Sequence, residues 1–267
     1  WIQVGSLPSF QPSELMKDSV VLFLASFLSR PGKAYRTAVS IAVVALAAML
    51  IVLQRDYSTA VVFLLVSFAV IMVSQVSMHH IALFSIAIGV PSCVFLFTEP
   101  YRIRRVVSFL FPSIDPTGLN WQVHNSLQAI RSGGLFGKGL GNGTYKLGSI
   151  PEVQSDFIFA SFMEETGMFG MLILSALLIT FAVLGFRTAA RHKVFGNTFI
   201  SVTAFGITCM ILWQALVNIA VVTALLPPTG IPLPFFSQGG TNLFMVLAEC
   251  GLLYRCMLLP PVEASHG

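Results

Sequence analysis

The segment Thr-Ala-Val-Ser-Ile-Ala-Val-Val-Ala-Leu-Ala-Ala-Met-Leu-Ile-Val-Leu occupies residues 37–53 and contains no charged side chain. An α-helix needs roughly 17–25 apolar residues to cross the hydrocarbon core of a bilayer, and this segment is long enough. Comparable apolar segments lie at 16–29, 57–76, 80–98, 155–185, 196–223 and 240–258. The sequence therefore predicts an all-α, polytopic transmembrane helical bundle with about seven spans.

The composition of the whole chain supports a membrane protein. Of the 267 residues, 55% are hydrophobic and only 10% are charged, whereas soluble domains have about 25% charged residues. The mean hydropathy is +0.83. These values exclude a soluble enzyme, a disordered chain and a nucleic-acid-binding module. The four cysteines have no CxxC spacing, and we expect neither a disulfide framework nor a metal site from them.

We expect residues 1–267 to form a single membrane domain with one long loop at 99–154, which is rich in glycine and proline. Basic residues mark the cytoplasmic side of membrane proteins, and short connections weigh more than long ones. The short connections 30–36 and 187–193 are basic. They are therefore predicted to be cytoplasmic, together with the C-terminus, and the long loop is predicted to be extracytoplasmic.

A cluster of acidic residues marks the end of this loop. Pro151 and Ser155 are typical of a helix start, which places Asp156 in the first turn of the following span. Glu152 would then share a helical face with Asp156. A carboxylate at the border of loop and lipid suits a general base. The alternative is an acid that only favours the helix dipole.

Polar residues inside predicted spans are costly, and they mark either function or structural pairs. Glu14 and Lys17 are three residues apart and can form an ion pair, in the bundle or at the interface. At least one of Glu164 and Glu165 must face the bundle interior and find a partner. Gln214 and Asn218 are one turn apart and can hydrogen-bond between helices.

Two irregular segments complete the candidate site. Residues 133–146 are rich in glycine and contain Lys138 and Lys146, but the spacing is not that of a P-loop. Residues 227–240 contain four prolines and cannot form a continuous helix, so we expect a re-entrant or bundle-packed segment.

Four motifs together resemble the SEDS family of cell-wall polymerases, of the FtsW/RodA/SpoVE type. The motifs are Gln11-Pro-Ser-Glu14; Asp115-Pro-x-Gly118 with Ser126-Leu127; Pro151-Glu152 with Ser155-Asp156 and Glu164-Glu165-x-Gly167; and Thr229-Gly-Ile-Pro-Leu-Pro234 with Ser237-x-Gly239-Gly240. The resemblance covers nearly the whole chain. Family members have about ten spans of roughly 20 residues each, so it also implies that about three N-terminal spans are missing here.

The resemblance implies a peptidoglycan glycosyltransferase of the bacterial cytoplasmic (inner) membrane. Such enzymes polymerise lipid II into glycan strands and work with a class B penicillin-binding protein, a transpeptidase. Asp156 matches the essential outer-loop aspartate of the family, and Glu14 and Lys17 match polar residues of its core. Gln154 stands where the family has histidine. The patterns at Lys146 and Ser126 favour the division and sporulation branch, with divisome proteins as further partners.

The chemistry implied by this resemblance needs a base and cations for the departing diphosphate. Asp156 is the expected base, and Glu152 is grouped with the substrate-binding residues. The expected cations are Arg102, Arg104, Arg105, Lys138 and Lys146. No cofactor is certain, although a divalent cation such as Mg²⁺ or Mn²⁺ would suit a diphosphate. The alternatives are a lipid II transporter (flippase), an elongation-type polymerase similar to RodA, or a membrane scaffold for division proteins.

Overall fold

The computed structural model describes residues 10–30, 33–74, 79, 82, 86, 100–111, 119–145 and 154–260, without the side chains of 33, 34, 100–102, 104, 119 and 120. Every regular element within these ranges is an α-helix, which confirms the predicted class. The helices are α1 (Pro12–Leu28), α2 (Lys33–Leu53), α3 (Tyr57–Val73), α4 (Pro100–Leu110), α5 (Leu119–Gly133), α6 (Ile158–Val194), α7 (Thr198–Val222) and α8 (Gly240–Leu258).

Among the described residues, α2, α6, α7 and α8 are long and apolar enough to cross a membrane, and α3 is a shorter apolar helix. The predicted spans 37–53, 57–76, 196–223 and 240–258 coincide with helices to within a few residues. Hydropathy predicts these spans well because lipid selects length and composition directly. The predicted span 80–98 lies outside the described residues, apart from Ala82 and Ile86.

Two further helices extend beyond the predicted spans. Helix α1 begins at Pro12, before the predicted span 16–29, because proline has no N–H to lose at a first helical position. Helix α6 runs to Val194 rather than ending at 185, so the predicted connection 187–193 is helical. Gly196 ends α6 with φ 80°, and the Asn197 amide donates to the His192 carbonyl at 2.9 Å, as in a Schellman motif.

The predicted long loop is more ordered than its composition suggested, since α4 and α5 both lie within 99–154. Helix α5 begins at Leu119 and ends at Gly133, where the glycine-rich segment starts. An added Cβ on Gly133 would collide with the Met163 carbonyl oxygen, so α5 ends in close contact with α6. The loop therefore contains two helices that precede the residues of the candidate site.

The chain forms two compact units. Unit 1 consists of residues 1–91, 180–213 and 240–267, and unit 2 of 92–179 and 214–239. Among the described residues of unit 1, α1, α2 and α3 pack on one another around Leu24, Val44 and Phe63, all fully buried. Gly206 allows α7 to approach α1, because an added Cβ would lie 2.6 Å from a Val21 methyl group.

Asp56 stabilises the N-terminal ends of two helices in unit 1. Its carboxylate accepts a hydrogen bond from the Thr59 amide at 3.2 Å and so caps α3. The same carboxylate accepts from the Gln11 side chain at 2.8 Å, directly before α1. Asp56 therefore has a structural role at the starts of α1 and α3.

Unit 2 has its own apolar core. Phe157, Phe159 and Ala160 at the start of α6 pack with Val222 at the end of α7 and with Leu233, and each of these residues is at most 2% exposed. Leu233 belongs to the proline-rich segment 227–239, so this non-helical segment is part of the core and not a surface loop. The bundle-packed prediction for this segment is confirmed.

Candidate active site

Asp156 lies in a turn directly before α6, which begins at Ile158. The prediction that Asp156 occupies the first helical turn is therefore wrong. The physical reason is that the turn carbonyls bond to other segments: Gln154 O accepts from the Gln238 amide at 2.8 Å, and Asp156 O accepts from the Asn218 side chain at 2.8 Å. The side chain of Asp156 is half-buried.

The proline-rich segment 227–239 passes directly beside the Asp156 carboxylate. A Cβ added to Gly230 would lie 3.3 Å from Asp156 Oδ2, so glycine leaves just enough room for the carboxylate. The segment closes on itself through the Leu233 amide, which donates to Ser237 Oγ at 2.7 Å. Leu233 and Ser237 are both buried. This wall of the site is therefore rigid, although it contains no helix.

Gln214 and Asn218 of α7 hold this segment in place. Asn218 Nδ2 donates to Ile231 O at 2.7 Å as well as to Asp156 O, and Gln214 Nε2 donates to Pro232 O at 3.2 Å. The predicted hydrogen bonds between helices are thus replaced by bonds to carbonyls of irregular backbone. Such carbonyls lack helical partners and need donors when they are buried in a membrane protein.

Arg105 reaches the same segment from α4. Its Nη1 donates to Pro228 O at 3.1 Å, and its side chain is half-buried. Pro228 and Gly230 are two residues apart, so their Cα atoms are separated by at most about 7 Å. In unit 2, a guanidinium that binds Pro228 and a carboxylate that lies beside Gly230 are thus found at neighbouring positions of one segment.

Among the other predicted substrate-binding residues, the structure describes only the side chain of Lys138. Arg102 and Arg104 lie on α4, but their side chains are outside the described part of the structure, and Lys146 and Glu152 lie outside the described residues altogether. Lys138 forms an ion pair with Glu164 at 2.7 Å. The Lys138 ammonium is therefore paired with a buried carboxylate, although 32% of the lysine side chain remains exposed.

Glu164 is fully buried and accepts several hydrogen bonds. Besides Lys138, its carboxylate accepts from the Thr144 amide at 2.8 Å, the Thr144 hydroxyl at 2.9 Å and the Tyr145 amide at 3.2 Å. Glu165 accepts from the Gly141 amide at 2.9 Å. The prediction that one of these glutamates faces the interior and finds a basic partner is confirmed. Both side chains bind the glycine-rich segment.

A second polar cluster lies in unit 1. Glu14 and Lys17 form the predicted ion pair at 2.9 Å, and both are 4% exposed, so the pair lies in the bundle and not at an interface. Asn242 Nδ2 of α8 donates to Glu14 Oε2 at 3.0 Å. This cluster joins α1 to α8.

Asp18 and Glu249 extend the cluster, and neither residue was expected there from the sequence. The side chain of Asp18 on α1 lies against that of Glu249 on α8. Glu249 is 4% exposed. The signal was present in the sequence, because Glu249 is an isolated acid in the apolar span 240–258. An intramembrane acid always needs a partner.

No group of three His, Cys, Asp or Glu side chains within the described ranges could hold a metal ion. The divalent cation considered from the sequence therefore stays a prediction. Cys209, Cys250 and Cys256 are free thiols.

Comparisons with known proteins place these features in a family. Residues 1–258 match the FtsW/RodA/SpoVE family, described as cell cycle proteins. A probable peptidoglycan glycosyltransferase FtsW of Borreliella burgdorferi is 39% identical over 250 residues, which cover 92% of this chain and 68% of that protein. The stage V sporulation protein E of Bacillus subtilis is 39% identical over 262 residues, covering 95% and 69%.

Solved structures agree with these relatives. A chain from a peptidoglycan synthase complex that coordinates polymerization and crosslinking has a TM-score of 0.73 and 28% identity, covering 97% of this chain and 74% of that one. The rod shape determining protein RodA of Thermus thermophilus has a TM-score of 0.62 and 26% identity, covering 97% and 70%. The chain is a membrane protein that belongs to the FtsW/RodA/SpoVE (SEDS) family.

Proposed function

We propose that this protein is a peptidoglycan glycosyltransferase that polymerises lipid II into glycan strands during division or septal wall synthesis. The relatives in Borreliella burgdorferi and Escherichia coli are named peptidoglycan glycosyltransferases, FtsW and MrdB respectively, which supports the activity. The similarity to FtsW and to a sporulation protein supports the division and sporulation branch.

One observation supports the assignment of the chemistry more than any other. The Asp156 carboxylate lies beside Gly230 of the proline-rich segment, and Arg105 binds the carbonyl of Pro228, two residues earlier. Polymerisation needs a base that takes the proton from the acceptor hydroxyl and a cation that stabilises the departing diphosphate. A carboxylate and a guanidinium on one rigid wall fit these two roles.

In this proposal, Asp156 accepts the proton of the acceptor hydroxyl as the oxygen attacks the anomeric carbon of the donor. The bond from that carbon to the diphosphate breaks on the opposite side, so the configuration inverts. Arg105 stabilises the negative charge on the leaving diphosphate. Asn218 positions Asp156 by holding its carbonyl, and it does not itself contact the reacting atoms.

We further propose that the protein lies in the bacterial inner membrane, with residues 99–154 on the extracytoplasmic side, where lipid II is polymerised. A class B penicillin-binding protein and divisome proteins are the proposed partners. The similarity to a chain of a complex that coordinates polymerization with crosslinking supports a transpeptidase partner. A divalent cation bound to the diphosphate of lipid II would assist the same step.

The test is reconstitution of the protein with its transpeptidase partner in liposomes that contain lipid II. We expect glycan polymer on a gel. Arg105→Gln should reduce the rate and lower its sensitivity to salt, because charge attracts the diphosphate. Arg131 is an exposed residue in the last turn of α5. Arg131→Gln is the matched control and should behave as the unaltered protein. Transfer of lipid II between leaflets without any polymer would contradict the proposal and favour the transporter.

A further inference from the structure

The glycine-rich segment 134–141, which we call the clip, is fixed to α6 by backbone hydrogen bonds. The amides of Lys138 and Gly139 donate to Glu164 O and Glu165 O, each at 3.0 Å. In the opposite direction, the amides of Met168 and Phe169 donate to Gly134 O and Leu135 O, each at 3.0 Å. Four backbone bonds to one helix make the clip a rigid element.

The regular backbone of α6 is interrupted at the place where the clip binds. Gly167 has φ 64° and ψ −159° inside α6, so the carbonyls and amides around it are released from the helical pattern. An added Cβ on Gly167 would lie 2.8 Å from Leu135 O, and one on Gly137 would collide with Glu165 O. Both glycines are thus required for the close approach of the two backbones.

The clip presents large apolar side chains outward. Leu135 is 68% exposed, Phe136 is 81% exposed and Leu140 is 81% exposed. The charged side chains next to the clip bind other groups of the protein. Glu164 pairs with Lys138, and Glu165 accepts a hydrogen bond from the Gly141 amide. A loop in water favours the reverse arrangement, with polar groups outside.

The apolar tip lies beside a row of exposed apolar side chains on α6. Met168 and Phe169, which bond to the clip, are 49% and 59% exposed, and Leu172, one turn further, is 63% exposed. This part of α6 belongs to a helix that is long and apolar enough to cross the membrane. The clip is therefore attached beside a surface that lipid must cover.

We propose that the clip inserts Leu135, Phe136 and Leu140 into the acyl chains of the bilayer leaflet that surrounds the start of α6. The occupant of this apolar surface is lipid. Neither a second copy of the chain nor another protein is needed to cover it. Insertion fixes the depth of the glycine-rich segment in the membrane, independently of the activity proposed above.

The test uses one indole as a depth probe. The natural Trp1, Trp121 and Trp213 are changed to phenylalanine, and Phe136→Trp is introduced, a substitution that keeps an aromatic ring on the same backbone. The protein is reconstituted in phosphatidylcholine liposomes brominated near the headgroup or deep in the chains. We expect shallow bromolipids to reduce the fluorescence at least twofold, with little quenching by iodide in the buffer.

Two control variants show the quenching that is expected for an indole in lipid and for an indole in water. Leu172→Trp on the lipid-facing surface should be quenched more by deeper bromolipids, and Gln128→Trp on the exposed surface of α5 should be quenched by iodide. Iodide quenching of the Phe136→Trp indole without bromolipid quenching would place the clip in water and overturn the proposal. Protection from both quenchers would also overturn it, because protein would then cover the tip.

Discussion

The two units neutralise buried charge in different ways. In unit 1, Glu14 and Lys17 lie one turn apart on a continuous helix, and the ion pair is sealed from water. In unit 2, Glu164 is neutralised by Lys138 from an irregular segment, and the half-buried Asp156 lies before its helix begins. A sealed pair on regular helices stabilises the fold. A half-buried carboxylate in a turn that is fixed through its backbone fits the proton-transfer role proposed for Asp156.

The largest effect on stability is expected from breaking the pair in unit 1. Lys17→Met leaves Glu14 buried with only Asn242 as a donor among the contacts described above, and we expect a loss of about 3–5 kcal/mol. The Glu14→Gln, Lys17→Met double variant should recover most of this loss, because no charge is then left alone. Unfolding by SDS in mixed micelles measures the stability of both variants. Equal losses of stability in the single and the double variant would show that the ion pair is not the main contribution to stability.

The corresponding change in unit 2 should be smaller and more local. Glu164→Gln removes the charge that accepts from Lys138 and Thr144, and we expect a loss of about 1.5–3 kcal/mol. Hydrogen exchange should increase at residues 138–145 and not in α7. Glu165→Gln, which affects the exposed bond to the Gly141 amide, is the control and should cost less than about 1 kcal/mol. Global unfolding of the Glu164 variant would contradict this local role.

Asn218 tests whether the turn of Asp156 depends on its backbone contacts. Asn218→Leu removes the donor from two buried carbonyls, and we expect a loss of about 1–3 kcal/mol in stability. The polymerisation rate should fall further than the stability accounts for, because Asp156 would be displaced. Gln214→Leu, which removes the bond to Pro232 alone, should reduce the rate less. Equal rates for the two variants would rule out a positioning role for Asn218.

A substitution at Gly230 is expected to cause the smallest loss of stability and to act only on the Asp156 carboxylate. Gly230→Ala places a methyl group 3.3 Å from Asp156 Oδ2, which shifts the carboxylate by a few tenths of an ångström. We expect a rate about three- to tenfold lower, since catalysis is sensitive to such displacements. Stability should change by less than about 0.5 kcal/mol. At Gly251 of α8 an added Cβ would meet no atom within 4 Å, so Gly251→Ala should leave the rate unchanged and stabilise the helix by about 0.5–1 kcal/mol.

The same contrast explains which features could be predicted from the sequence. The spans 37–53, 57–76, 196–223 and 240–258 and the Glu14–Lys17 pair follow from local rules of length and spacing, so they were predictable. The partner of Glu164 lies 26 residues away and that of Glu249 lies on another helix, and no local rule connects them. The turn at Asp156 could not be predicted because its carbonyls bond to residues 62 and 84 positions further along the chain.

The central claim is that Asp156 is a base and not a helix-capping acid. Asp156→Asn keeps the size of the side chain and the backbone bond from Asn218, so insertion and partner binding should be unchanged. The most direct measurement is the rate of lipid II polymerisation by this variant and by Glu152→Gln, which neutralises a nearby acid. We expect a loss of about a hundredfold to ten-thousandfold for Asp156→Asn alone. A variant that retains nearly the full rate would contradict it.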